Sequence, residues 1–70
     1  MDKKFLLAFG KNLKELRLSK EFTQEELSYQ SELSLSQIAR LETGRLNPTL
    51  CTLKVLASTL KISIGQLVDF

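Results

Sequence analysis

Histidine and tryptophan are absent from this 70-residue sequence, and cysteine and proline occur once each. Without histidine there is no imidazole for acid–base catalysis, and a lone cysteine forms neither an internal disulfide nor a zinc cluster. No apolar run approaches the roughly 20 residues that cross a bilayer. We therefore expect no enzyme, no metal or other cofactor and no membrane span, but a cytoplasmic chain that acts by binding.

Charge is segregated along the chain. Residues 1–20 carry six basic and two acidic side chains, residues 21–32 carry four glutamates and no basic residue, and the formal net charge is +2. Because 43% of the residues are hydrophobic, the chain is too apolar for a disordered tail. Its length suits one small domain, which we assign to residues 1–70.

Apolar periodicity and capping motifs predict helices throughout. Leu6, Phe9, Leu13 and Leu16 recur at steps of three and four, which predicts a first helix over residues 3–19. Capping boxes, each flanked by an apolar pair, predict helix starts at Thr23, Ser34 and Ser63. Gly44 indicates a left-handed helix end, and Pro48 before Thr49 marks the entry to a further helix. The fold class expected is all-α, a compact bundle of five short helices.

The interval between the caps Thr23 and Ser34 accommodates a short helix, a tight turn and a second helix, which is a helix-turn-helix arrangement. From about Phe9 to Leu67 the chain resembles the phage repressor and Cro-type regulators of the Xre family, whose fold is the lambda repressor-like DNA-binding domain. The matching residues are Arg17, Thr23, Gln24, Glu25, Glu26, Leu27, Leu33, Ser34, Ile38, Ala39, Arg40, Leu41, Glu42, Gly44, Arg45, Asn47, Pro48, Thr49 and Leu60.

The sequence departs from this family at a few turn positions. Similar proteins usually have glycine at the positions of Glu21, Glu32 and Lys61, and alanine at that of Ser28. If these turns still require a left-handed residue, each non-glycine side chain costs about 1 kcal/mol of stability.

The resemblance implies that the helix beginning at Ser34 lies in the major groove of double-stranded DNA. Ile38 and Leu41 are needed inside the domain, and Gln37 is partly committed to its capping box. The remaining residues form an outer face, for which we predict base contacts: Leu35, Ser36, Ala39 and Arg40. Arg40 is the foremost candidate because a guanidinium reads guanine with two parallel hydrogen bonds. The alternative is an ordinary solvated helix arginine.

Helix ends and the resemblance together predict phosphate contacts. These contacts are assigned to Gln24, Thr43, Gly44, Arg45 and Asn47. The alternatives are a plain helix start for Gln24 and ordinary turn residues for Arg45 and Asn47. Lys11 and Lys14 could add longer-range attraction or could simply keep the first helix soluble. Arg17 and Glu42 are assigned a structural ion pair, because these positions pair across the core in similar proteins.

The apolar C-terminus predicts a homodimer. Its candidate interface residues are Ile64, Leu67, Val68 and Phe70, although the same residues could instead close the core of a monomer. Such regulators place two recognition helices about 34 Å apart on a palindromic operator. The resemblance also implies RNA polymerase as a candidate partner, because repressors of this type can contact it through the face of the second helix that here carries Glu25, Tyr29 and Glu32. The alternative is an ordinary acidic face in solvent. DNA binding implies association with the nucleoid.

Two classes of function remain open at this point. The first is a transcription regulator that binds an operator, such as a Cro-like repressor, a restriction-modification controller or an antitoxin. The second is a protein-interaction module that retains the fold but docks a partner through the acidic second helix or the apolar C-terminus. Salt dependence separates the two classes, because phosphate binding weakens steeply with salt whereas an apolar interface barely responds.

Overall fold

The computed structural model describes residues 2–70 and places five helices along them. They are α1 Lys3–Ser19, α2 Gln24–Ser31, α3 Leu35–Glu42, α4 Leu50–Leu60 and α5 Ile64–Leu67. The all-α fold predicted from the sequence is confirmed, as are the bounds of the first helix and the caps at Thr23, Ser34 and Ser63. None of the helices within residues 2–70 is long and apolar enough to span a bilayer.

A side chain caps the start of every described helix. The capping residues are Asp2, Thr23, Ser34, Thr49 and Ser63. At α2 the N–H of Glu26 donates to the Thr23 hydroxyl at 3.0 Å, and the N–H of Thr23 donates to the Glu26 carboxylate at 3.0 Å. The second of these bonds is the main reason that the pKa of Glu26 lies below its usual value. The same reciprocal box starts α3 and α5, so local hydrogen bonding defines these helix starts.

The core is made by one stripe from each helix. Its buried members are Phe9, Leu13, Leu27, Ile38, Leu41, Leu56, Ala57, Leu60 and Leu67. The apolar residues that precede the capping boxes, Phe22, Leu33 and Ile62, pack against this cluster as partly buried neighbours. Since these residues also orient the chain entering each helix, the core and the caps specify the same arrangement.

Gly10 allows α1 to lie directly against the end of α3. A Cβ atom at Gly10 would be 2.5 Å from the Leu41 carbonyl oxygen and 2.6 Å from that of Glu42. Glycine in mid-helix lowers helix stability by roughly 1 kcal/mol relative to alanine. The close approach of the two backbones is therefore the structural reason for glycine at this position.

Three helix ends adopt the left-handed conformation without glycine. Glu21, Glu32 and Lys61 have φ values of 61°, 63° and 58°. These turns thus keep the left-handed conformation for which similar proteins use glycine. The stability cost predicted for a non-glycine side chain in this conformation therefore applies to all three residues. Gly44, with φ of 72°, is the glycine that occupies this conformation, and Leu7 packs against it.

Lys61→Gly is expected to raise the free energy of unfolding by about 0.5 to 1 kcal/mol. Relief of left-handed strain gives about 1 to 2 kcal/mol, and the greater freedom of glycine in the unfolded chain offsets part of it. Urea unfolding followed by circular dichroism measures the difference. Ser58→Gly, on the exposed side of α4, is the control and should destabilise the domain. If both variants lost stability, the strain at Lys61 would be absent.

Candidate nucleic-acid interface

Helices α2 and α3 are joined by a tight turn that polar side chains hold in place. The Ser28 hydroxyl donates to the Leu33 carbonyl at 2.6 Å, and the Leu33 N–H donates to the Ser31 hydroxyl at 3.2 Å. Glu32 supplies the left-handed residue between the helices. Serine at position 28, where similar proteins have alanine, thus hydrogen-bonds the turn. The unit formed by residues 24–42 is a helix-turn-helix.

A buried ion pair connects this unit to α1. Arg17 Nε donates to Glu42 Oε2 at 2.6 Å, and its Nη2 donates to Glu42 Oε1 at 3.1 Å. Arg17 Nη1 donates to the Phe22 carbonyl at 2.8 Å, while the Gln24 amide donates to Glu42 Oε1 at 3.0 Å. Both charged side chains are almost fully buried. The Glu42 carboxylate is therefore where α1, α2 and the end of α3 are joined.

One face of α3 packs into the core, and the other face is open to solvent. Ile38 and Leu41 have no exposed surface, whereas Leu35 is 44% exposed. Ser36 and Arg40 are exposed one turn apart, and the small side chain of Ala39 is half-buried between them and the core. The four residues predicted to contact bases, Leu35, Ser36, Ala39 and Arg40, thus lie on one side of the helix. The Gln37 amide oxygen accepts the Ser34 N–H at 2.9 Å, as its capping box predicts.

The predicted phosphate contacts divide into groups that are free and groups that are already bonded. The Thr43 hydroxyl donates to the Ala39 carbonyl at 2.9 Å, and the Gly44 N–H donates to the Leu41 carbonyl at 3.3 Å. Both donors therefore hydrogen-bond carbonyls at the end of α3 in this structure. Arg45 and Asn47 follow in the loop with exposed side chains.

Gln24 combines two roles. It is the first residue of α2, where free backbone N–H groups favour an anion. One amide hydrogen is committed to Glu42, which holds the half-buried side chain against α3 and leaves the second hydrogen and the carbonyl oxygen available. The sequence alone did not indicate this contact with the ion pair.

The C-terminal residues separate into core and surface. Leu67 is 0% exposed and belongs to the core of the domain, so its side chain is not part of the apolar surface predicted for a partner. Its burial follows from the packing of α5 against α4 and α1. Ile64, Val68 and Phe70 are exposed.

Two α1 residues that the sequence reading did not single out support this end of the chain. Phe5 is 54% exposed, and its ring lies 5.2 Å from that of Phe70. The Asn12 amide donates to the carbonyls of Gln66 and Leu67 at 3.0 and 2.8 Å, closing the end of α5. Phe5 thus extends the exposed apolar patch, here defined as Phe5, Ile64, Val68 and Phe70.

The acidic side of α2 faces solvent. Tyr29 is 87% exposed, and Glu25 and Glu32 are exposed beside it. Nothing in the described part of the chain covers these side chains.

Comparison with known proteins places this geometry in a family. A family model described as helix-turn-helix matches residues 13–67. The chain is 44% identical over 59 residues, 84% of its own length and 77% of the relative's, to the HTH-type transcriptional regulator y4dJ of Sinorhizobium fredii. It is 34% identical over 62 residues to the immunity repressor protein of Bacillus phage phi105, covering 89% of this chain and 43% of the repressor.

A solved structure is also similar to this fold. The restriction-modification controller protein C.AhdI from Aeromonas hydrophila has a TM-score of 0.86 and 37% sequence identity, over 89% of this chain and 94% of that one. The matched residues 13–67 include α2, the turn and α3, and the fold is that of the solved structure. The chain belongs to the helix-turn-helix family, as a DNA-binding transcription regulator of the Xre and phage-repressor type.

Proposed function

We propose that the chain binds a palindromic DNA operator as a homodimer, with α3 of each subunit in the major groove. The outer face of α3 carries this proposal. It presents Ser36 and Arg40 to solvent one turn apart, while Ile38 and Leu41 on the opposite face are fully buried. An exposed recognition face on a firmly packed helix is the arrangement that reads base edges.

In this proposal, few side chains contact the DNA bases directly. Arg40 donates two parallel hydrogen bonds to O6 and N7 of a guanine, and Ser36 bonds either kind of base edge. Leu35 and Ala39 offer apolar contact to a thymine methyl group. Because so few groups read bases directly, the shape and flexibility of the DNA supply part of the specificity.

Phosphate contacts position α3 in the groove. Arg45 and Asn47, exposed just beyond α3, bind the backbone on one side, and Gln24 binds it at the start of α2 with its remaining amide hydrogen. The Thr43 hydroxyl and the Gly44 N–H take no part in this proposal, because both are bonded to α3 carbonyls.

The exposed apolar patch is the proposed dimer contact. Joining two subunits through Phe5, Ile64, Val68 and Phe70 covers apolar side chains. In the proposed dimer the two recognition helices lie on successive turns of the duplex, about 34 Å apart, as such regulators require. A regulator on such a site associates with the nucleoid. The exposed side of α2 around Tyr29 is then free to contact RNA polymerase.

Arg40→Ala is expected to abolish the preference for one base in each half-site, a loss of about 1 to 3 kcal/mol. Selection from a random duplex library at physiological salt, followed by sequencing, measures that preference. Arg45→Ala is the matched control, since loss of a phosphate contact weakens all sequences alike and makes the salt dependence shallower by about one unit. Circular dichroism of both variants establishes that they are folded.

The selection also tests the wider proposal. An inverted repeat with half-sites one helical turn apart supports a dimeric operator-binding regulator. If the folded wild-type protein enriches no sequence, the proposal is wrong and a protein partner becomes the object of the search.

A further inference from the structure

The exposed side of α1 carries four lysines that take no part in the base, phosphate or dimer contacts proposed so far. They are Lys3, Lys4, Lys11 and Lys14, called here the lysine ridge. Each lies three or four residues from Leu7 or Gly10, and residues at these spacings are neighbours on a helix surface. The ridge therefore surrounds the two residues through which α1 contacts the end of α3 and the following loop.

Those two contacts determine where the ridge lies. A Cβ atom at Gly10 would be 2.5 Å from the Leu41 carbonyl oxygen, and one at Gly44 would be 2.9 Å from the Leu7 side chain. Backbone meets backbone at the first contact, which leaves α1 little freedom to rotate. The ridge is consequently held beside the end of α3, next to the loop that carries Arg45.

The charges on the ridge are free to meet an anion. All four lysines are exposed, and within residues 2–70 the one ion pair joins Arg17 to Glu42 rather than any ridge lysine. Glu15 is the acidic residue on the same helix near Lys11 and Lys14. Asp2, which caps α1 directly before Lys3, is the other acid at this helix, so four lysines against two acids leave an excess of positive charge.

We propose that the lysine ridge binds the DNA phosphate backbone beyond the phosphates held by Arg45 and Asn47, extending the contact along the duplex. The inference rests on the proposed function, because it requires α3 to occupy the major groove. A helix lying in that groove is bounded by phosphates at its ends, and lysine is a flexible point charge suited to them. The ridge adds affinity and salt dependence, but no sequence preference.

The test compares two double variants that lose the same charge. Lys11→Gln with Lys14→Gln removes the middle of the ridge, whereas Lys20→Gln with Lys54→Gln removes two exposed lysines that border the openings between α2 and α4. Affinity for the selected operator is measured between 50 and 200 mM salt. The ridge variant should make the slope of log affinity against log salt shallower by about 1.8.

Over this fourfold range of salt, that change makes the loss of affinity about tenfold smaller than in the wild type. The base preferences of the ridge variant should equal those of the wild type, and the control variant should retain the wild-type slope. An unchanged slope in the ridge variant, or an equal change in both variants, overturns the inference while leaving the proposed function intact. Wild-type protein without salt-dependent DNA binding overturns both.

Discussion

Arg17→Met is expected to lower the free energy of unfolding by about 3 to 5 kcal/mol. The substitution removes both hydrogen bonds from Arg17 to Glu42 and the bond to the Phe22 carbonyl. A carboxylate that is almost fully buried is then left with the Gln24 amide as its remaining partner. Because a folded domain has a margin of only about 5 to 15 kcal/mol, such a loss removes a large share of the stability.

Urea unfolding of single and double variants separates the effect of the pair from that of each residue. Lys14→Met, on the exposed side of the same helix, is the control and should change stability by less than about 0.5 kcal/mol. Arg17→Met combined with Glu42→Met should recover most of the loss, because no unpaired charge remains in the core. If Arg17→Met were as stable as Lys14→Met, the ion pair would contribute nothing to the fold.

Gly10→Ala is expected to destabilise the domain by about 3 kcal/mol, the upper part of the usual range for overpacking. The added methyl group would lie 2.5 Å from one backbone oxygen of α3 and 2.6 Å from the next. Backbone atoms cannot rotate away as a flexible side chain can, so α1 and α3 must move apart. The helix propensity of alanine returns only about 1 kcal/mol of this loss.

Gly65→Ala is the matched control for this prediction. Gly65 also lies in a helix, but a Cβ atom there would be 3.6 Å from the Ser63 hydroxyl oxygen, which is ordinary van der Waals contact. Its stability should stay unchanged or rise by up to about 1 kcal/mol. Equal unfolding midpoints for the two variants would contradict the direct packing of α1 on α3.

The helix starts could be predicted because their causes are local. A capping hydroxyl meets an N–H group three residues later, as at Thr23 and Glu26, and this pairing is visible in the sequence without knowledge of the fold. The same holds for the outer face of α3, since helical spacing alone separates Ile38 and Leu41 from Ser36 and Arg40. The pairing of Arg17 with Glu42 was inferred from resemblance to a family, not from spacing.

The sites that escaped the sequence reading depend on residues far apart in the chain. Phe5 meets Phe70, and Asn12 closes α5 through the Gln66 and Leu67 carbonyls, but no local pattern connects these positions. From the sequence, a leucine at position 67 is compatible with the core and with an exposed apolar surface. Its place in the core was decided by how α5 packs.

By itself, the sequence determined the helical class, the position of the helix-turn-helix and the side of α3 that faces outward, because each follows from hydrogen bonds and periodicity within a few residues. Tertiary packing alone decided how the separate helices meet. It committed the Gln24 amide to Glu42 and pressed α1 against α3 at Gly10. These contacts join separate helices, and their geometry exists only once the core has brought those helices together.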